Sequence, residues 1–196
     1  MARKVQITKD IILKAALDML IRDGFSSINI KTLAKEIGCS TQPIVWHFDN
    51  MEGLRTALAE YARTYANNKM RLTGKNAVET FAYIGKAYVE IAVNEPNLFR
   101  FLYLEENKYK SANNFEAMIT SRNNAELIRK IADYLGLPEK KAGRYLQNTI
   151  IYAHGIATLV ATNVITASQE EMMIMINRAA DAFLMQEGVP ADRIPR

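Results

Sequence analysis

Cysteine and histidine are nearly absent from this chain. Its 196 residues include one cysteine, Cys39, and two histidines, His47 and His154. A zinc site with several Cys or His ligands therefore has almost no material. A lone cysteine forms no internal disulfide, which suits a reducing cytoplasm; Cys39 is expected to be a small residue filling a turn. No apolar run approaches the roughly eighteen residues of a membrane span. The start, Met1-Ala-Arg-Lys4, leads into Val-Gln-Ile-Thr and not into the apolar stretch of a secretory signal. The nine glycines are scattered and build no phosphate-cradling loop. No Gly-x-Ser-x-Gly elbow is present. The carboxylate pairs Glu105-Glu106 and Glu170-Glu171 sit at expected helix ends, where solvation or the helix dipole accounts for them. The expectation is a chain with no metal, no cofactor, no membrane association and no catalytic chemistry.

Charge is also modest, at a net +4 overall. Over residues 1–50, seven bases (Arg3, Lys4, Lys9, Lys14, Arg22, Lys31, Lys35) face five acids (Asp10, Asp18, Asp23, Glu36, Asp49), leaving +2. That permits nucleic-acid binding without demanding it. Arg3, Lys4 and Lys9 precede or open the first helix, within reach of phosphates; for Arg3 and Lys4 a solvated tail is an equal reading.

What the chain does have is concentrated in residues 29–48, which read as a short helix, a tight turn and a second short helix. Leu33, Ala34 and Ile37 fall on one apolar face. Gly38 can take φ > 0 and stop the first helix. Ser40 is placed to cap the second. Ile44 and Phe48, four residues apart, anchor that second helix from beneath. Thr41, Gln42, Trp46 and His47 then point outward. With Lys31, Ser40 and Pro43 they make up the candidate DNA-contacting set. This is the geometry of a helix-turn-helix, whose second helix enters the major groove of double-stranded DNA. On spacing alone, an ordinary helical hairpin with a glycine turn fits as well.

The flanking sequence resembles the TetR (tetracycline-repressor) family of bacterial transcriptional regulators. Ile7 to Gly24, followed by Phe25, is similar to the family's first helix with its closing Gly-aromatic. Trp46-His47-Phe48-Asp49-Asn50-Met51-Glu52-Gly53-Leu54 is similar to its passage from recognition helix to a long fourth helix. The resemblance is strong over about residues 7–58. It continues weakly through Tyr88–Arg100 and Ala153-His154-Gly155. Two positions depart from the family pattern: Val45 stands where an aromatic is common, and Met51 where a phosphate-contacting Lys is common. The resemblance implies an all-α fold, with a DNA-binding domain over residues 1–50 and a ligand-binding and dimerisation domain over 51–196.

The remaining periodicity is helical almost throughout. Thr8 caps a first helix to Asp23, and Asn50 caps a fourth to about Met70, with Leu54, Leu58, Tyr61 and Tyr65 on one stripe. A break at residues 72–76 precedes a fifth helix to about Val93, which Asn94-Glu95-Pro96 closes. A short apolar helix follows over Leu98 to Glu105. Glu106 to Asn114 reads as a loop, and Phe115 to Leu135 as a helix. After Gly136-Leu137-Pro138 a helix runs to about Asn163. Ser168 and Glu171 have capping-box spacing and start the last helix, to about Gln186.

The central helices are rich in large side chains. Phe81, Tyr88, Phe99, Tyr103, Phe115, Met118 and Tyr152 either fill a core or line an apolar small-molecule pocket. Because the resembled regulators sense ligands in this domain, the resemblance favours the pocket. Glu90, between Val89 and Ile91, is either a buried carboxylate meeting a cationic ligand or a residue on an exposed face. His154 is either a ligand contact or a hydrogen-bonded core histidine. The last two helices supply the expected dimer surface through Ala157, Ala161, Met173, Ile176, Ala180, Phe183 and Leu184, packing two copies as a four-helix bundle. These readings combine into a homodimeric regulator, a repressor that a small apolar effector releases from a palindromic operator. The rival is a helical small-molecule-binding protein or enzyme whose N-terminal hairpin is only structural.

Overall fold

The computed structural model describes residues 7–71, 73–104 and 122–195, and every regular element among them is helical. The helices are α1 (Lys9–Asp23), α2 (Ile30–Ile37), α3 (Gln42–Phe48), α4 (Met51–Lys69), α5 (Ala77–Asn94), α6 (Pro96–Phe99), α7 (Arg122–Leu135), α8 (Glu139–Ala161) and α9 (Gln169–Gln186). A π-helical turn, Arg100–Leu104, continues α6, and short 3-10 turns lie at Phe25–Ser27 and Ala191–Arg193. The expected loop at 106–114, together with Phe115 and Met118, lies outside the described residues.

Local chemistry sets the ends of these helices. The Thr8 hydroxyl accepts the Ile11 N–H, and Asn50 accepts the N–H groups of Glu52 and Gly53, as the sequence predicts. Asn29 and Thr32 form a reciprocal capping box that opens α2. Ser168 and Glu171 do the same for α9. Gly38 ends α2 at φ 75°, and the Gly38 and Cys39 N–H groups return to the Lys35 and Ala34 carbonyls.

One expected cap is absent. Ser40 does not close α3; the residue preceding that helix is Thr41, with helical backbone (φ −70°, ψ −18°) and no side-chain cap bond. The chain is already helical at Thr41, which leaves no extended residue to turn a hydroxyl back onto the first turn. Between α3 and α4 the backbone turns through Asp49 at φ 62°. Gly53 meets the carbonyl of Phe48 so closely that a Cβ there would collide with it. The angle between the recognition helix and α4 thus depends on that glycine.

A single apolar core links the two ends of the chain. Ile12, Leu20, Leu33 and Ile44 pack with Leu54 and Leu58, and the same cluster continues through Ile91, Phe99 and Phe101 to Ala157 and Ile176. A second, smaller core joins α7, α8 and the end of α9 through Ile131, Tyr145, Leu146, Leu184 and Val189. No described helix is long and apolar enough to cross a membrane.

Candidate nucleic-acid interface and buried aromatic cluster

Helix α3 presents one face to solvent. Ile44 and Phe48 are buried beneath it. Above them Thr41 and Gln42 are exposed, with Val45 42% and Trp46 74% exposed. These four fall at i, i+1, i+4 and i+5, a single helical face. An indole this exposed gains little from packing; its place on the surface suits contact with another molecule. Lys31 and Ser40 are exposed beside this face, and Pro43 is half-buried in the first turn of α3.

His47 departs from the expectation. It does not point freely outward: its Nε2 lies 3.0 Å from the Ile7 carbonyl oxygen, and the ring is half-buried. One residue past Trp46, it is rotated about 100° around the helix, toward the start of α1. The Trp46 and His47 rings meet edge to face at 4.7 Å.

In the larger part of the chain, four of the expected pocket residues come together. Tyr88 of α5, Phe99 of α6, Tyr103 of the π-turn and His154 of α8 form one aromatic cluster, with centroids 5.0 to 6.5 Å apart. Tyr88 Oη and His154 Nδ1 are 2.6 Å apart. Burial raises the Tyr88 hydroxyl well above its ordinary value, pushes Tyr103 up to about 12 and lowers His154. Burial thus favours a neutral imidazole and a protonated phenol, which share the hydrogen bond between Tyr88 Oη and His154 Nδ1.

The other candidates lie elsewhere. Glu90 is exposed, so the reading of a buried carboxylate for a cationic ligand falls away. It follows Tyr88 by two residues, about 200° around the helix, and cannot share its face. Tyr152 stands in the same relation to His154; it is exposed and meets Phe183 at 6.4 Å. Phe81 is seven residues before Tyr88, about 10 Å along α5. It packs on Tyr145 in the second core.

The expected dimer stripe also needs correction. Ala157, Ala161, Ile176 and Leu184 are buried within the protomer, and Met173, Ala180 and Phe183 are half-buried. Ala157 and Ala161 follow Ala153 at four-residue spacing into the main core. The apolar residues left uncovered on α8 and α9 are Ile151, Tyr152, Leu159, Ile174 and Met185, with Gly155 exposed among them.

Sequence reasoning passed over the contacts that join the two ends of the chain. The Asn97 amide donates to the Ile21 and Arg22 carbonyls at 3.0 and 3.2 Å. The Tyr65 hydroxyl and Lys69 ammonium donate to Glu95 Oε1 at 2.8 and 2.6 Å. The signal available was a run of polar residues, Asn94-Glu95 and Asn97, around a helix-opening proline within apolar sequence.

Residues 12–58 match the bacterial regulatory proteins of the tetR family. Over that segment the chain is similar to the tetR-family regulators. The fold beyond it agrees. A TetR-like transcriptional regulator from Rhodococcus sp. RHA1 superposes with a TM-score of 0.65 at 11% identity, covering 93% of this chain and 100% of that one. A TetR from Acinetobacter baumannii AYE gives 0.60 at 18% identity, covering 92% and 96%. BioQ, solved with its double-stranded DNA operator, gives 0.52 at 16% identity, covering 91% and 98%. No curated protein matches the chain in sequence. Within the matched segment, Thr41, Gln42, Val45 and Trp46 occupy the outer face of α3.

Proposed function

We propose that the protein is a homodimeric repressor that binds a palindromic DNA operator and is released by a small apolar effector. The observation that carries the DNA-binding part is the outer face of α3, held rigid by buried Ile44 and Phe48 and bearing Gln42 and a 74%-exposed Trp46. Gln42 can bond adenine through two hydrogen bonds, and Trp46 and Val45 offer apolar surface to thymine methyl groups or sugar. BioQ, which shares the fold, was solved on its operator.

Two copies are needed for a palindrome. The exposed apolar residues of α8 and α9, Ile151, Leu159 and Ile174 among them, supply a face for the second copy. The effector reading rests on the cluster of Tyr88, Phe99, Tyr103 and His154, apolar apart from two phenols and an imidazole. It suits a largely apolar molecule with one hydrogen-bonding group. A ligand lowers operator affinity only by its preference for the released conformation; a tenfold loss needs about 1.4 kcal/mol.

Genome-wide recovery of bound DNA fragments tests the proposal. Recovered fragments should share a palindrome that the pure protein binds with steep salt dependence. Failure to enrich any sequence, together with salt-independent retention, would refute it.

A further inference from the structure

We propose that Asp49 and Gly53 act together as positioning residues for DNA recognition. They form one strained joint that sets the angle between α3 and α4, and so where Gln42 and Trp46 meet the bases. The inference rests on the DNA-binding reading above.

Two residues, Asp49 and Asn50, separate α3 from α4. Asn50 is committed to its cap. Its backbone is extended (φ −154°, ψ −178°), and its Oδ1 accepts the N–H groups of Glu52 and Gly53 at 2.9 and 3.0 Å. Phe48, on the other side, is fixed by burial. The reversal therefore falls on Asp49, at φ 62° and ψ −49°. The Asn50 N–H donates to the Phe48 carbonyl, two residues back, at 2.7 Å. That closes a γ-turn with positive φ at its centre, the rare and strained form. With ψ negative, Asp49 lies outside the left-handed helical basin that aspartate tolerates. The Phe48 carbonyl is also the group that a Cβ on Gly53 would strike. Turn and close approach thus share one oxygen atom. If α4 pivoted to make room at residue 53, that carbonyl would move and Asp49 would have to leave its present angles.

Backbone strain persists where the surroundings over-determine it, and it gathers where geometry serves a function. Helix formation alone does not call for it here. A glycine at 49 would adopt these angles at no steric cost, and an alanine at 53 would favour α4. What the observed arrangement delivers is a fixed angle. Gln42 stands six residues before Phe48, about 9 Å along the helix axis. A swing of about 20° at the joint would carry it about 3 Å sideways. Hydrogen bonds hold only between about 2.7 and 3.2 Å, so such a swing takes Gln42 out of reach of its base.

The test uses the full-length protein, its recovered operator fragment and a scrambled fragment of the same length and composition. Two quantities are read: the preference for operator over scrambled DNA, and the Tm. Gly53→Ala should lower the preference at least about tenfold, the scale of one lost Gln42 contact. It should also lower the Tm, where an unobstructed helix would gain from alanine. Asp49→Gly should raise the Tm by about 2–4 °C and keep the preference, because glycine takes the same angles without strain. Asp49→Asn, which tolerates positive φ, should keep the wild-type preference. The double variant Asp49→Gly/Gly53→Ala should recover most of the preference lost in Gly53→Ala, since glycine at the joint lets the Phe48 carbonyl turn away from the new methyl group. Wild-type preference in Gly53→Ala overturns the proposal, as does a lowered Tm for Asp49→Gly or no recovery in the double variant. Asp49→Gly keeps the proposal open to refutation even if Gly53→Ala folds poorly. A wild-type protein that prefers no DNA sequence sinks the DNA-binding reading and this inference with it; a selective wild type with an unresponsive joint sinks this inference alone.

Discussion

Replacing Asn97 with alanine should loosen the reading head without touching any DNA-facing residue. Helix α1 ends at Asp23, so the carbonyls of Ile21 and Arg22 have no partner within the helix. Asn97 donates to both, and its own Oδ1 accepts from the Arg100 guanidinium. A hydrogen bond of this kind contributes about 0.5–1.5 kcal/mol, and these carbonyls lie where water can partly replace the donor. The loss should be about 1–2 kcal/mol. For a chain of this size that is roughly 2–8 °C in Tm. Asn97→Asp should be worse: it keeps an acceptor for Arg100 but cannot donate, and it sets a negative charge at the negative end of the α1 dipole. Calorimetry gives the stability, and hydrogen exchange over residues 20–27 gives its location. Operator affinity should fall while its salt slope stays unchanged, because no phosphate contact is removed. A wild-type Tm for Asn97→Asp, or unchanged exchange at the end of α1, would refute the argument.

Gln42→Ala should relax base preference at one position of each half-site by roughly 1–3 kcal/mol, read by competition between operator variants. Leu159→Glu places a charge on the uncovered apolar face of α8 and should yield monomers in sedimentation together with loss of operator binding. Stability should decline as pH falls below about 6.5. Burial lowers His154, so the unfolded chain binds the proton first; the contribution is complete above the unfolded value and is lost on acidification toward the folded one. His154→Gln should remove that part of the pH dependence in urea titrations.

The reading head was legible because its determinants are local. The Thr8, Asn29 and Asn50 caps, the Gly38 turn and the Ile44/Phe48 anchor each act within about four residues, and their residue types suffice to specify them. The failure at Ser40 is of the same local kind: the turn closed onto α2 and left α3 starting from a helical Thr41. The aromatic cluster was only half legible. Composition singled out Tyr88, Phe99, Tyr103 and His154 but could not distinguish them from Phe81 and Tyr152. Helix geometry could have separated Tyr152 from His154, which cannot share a face at a spacing of two, but not Phe81, which lies seven residues before Tyr88 on the same face. Four of the seven residues of the dimer stripe, Ala157, Ala161, Ile176 and Leu184, are buried inside the protomer for a different reason. Small residues allow close approach equally well inside a protomer and between protomers, and Ala157 and Ala161 serve the former. Contacts such as His47 to Ile7 or Asn97 to Ile21 cross 40 and 76 residues, and no local pattern encodes them.

Those long-range contacts gather on one ten-residue stretch. From Glu95 to Leu104 the chain holds α4 through Tyr65 and Lys69, and α1 through Asn97. It holds the turn after α1 through the Phe101–Phe25 stack at 4.7 Å. The same stretch contributes Phe99 and Tyr103 to the aromatic cluster. The residues of the α4 stripe differ in what they reach. Leu58 is fully buried in the shared core, Tyr61 meets Asp10 of α1 at 3.3 Å, and Tyr65 is the one joined to this stretch. Phe99 is fully buried within the main core, so a guest that displaced its ring would also displace the segment that carries it. Under the proposed effector reading, a molecule that displaced Phe99 or Tyr103 would shift a short helix and a π-turn. Asn97 and Glu95, on the same stretch, would move with them. The 1.4 kcal/mol needed for a tenfold change in operator affinity is about the strength of one of those hydrogen bonds. On the proposed effector reading, disturbing the Asn97 cap alone would then suffice to make the head responsive, with no rearrangement of α4 along its length.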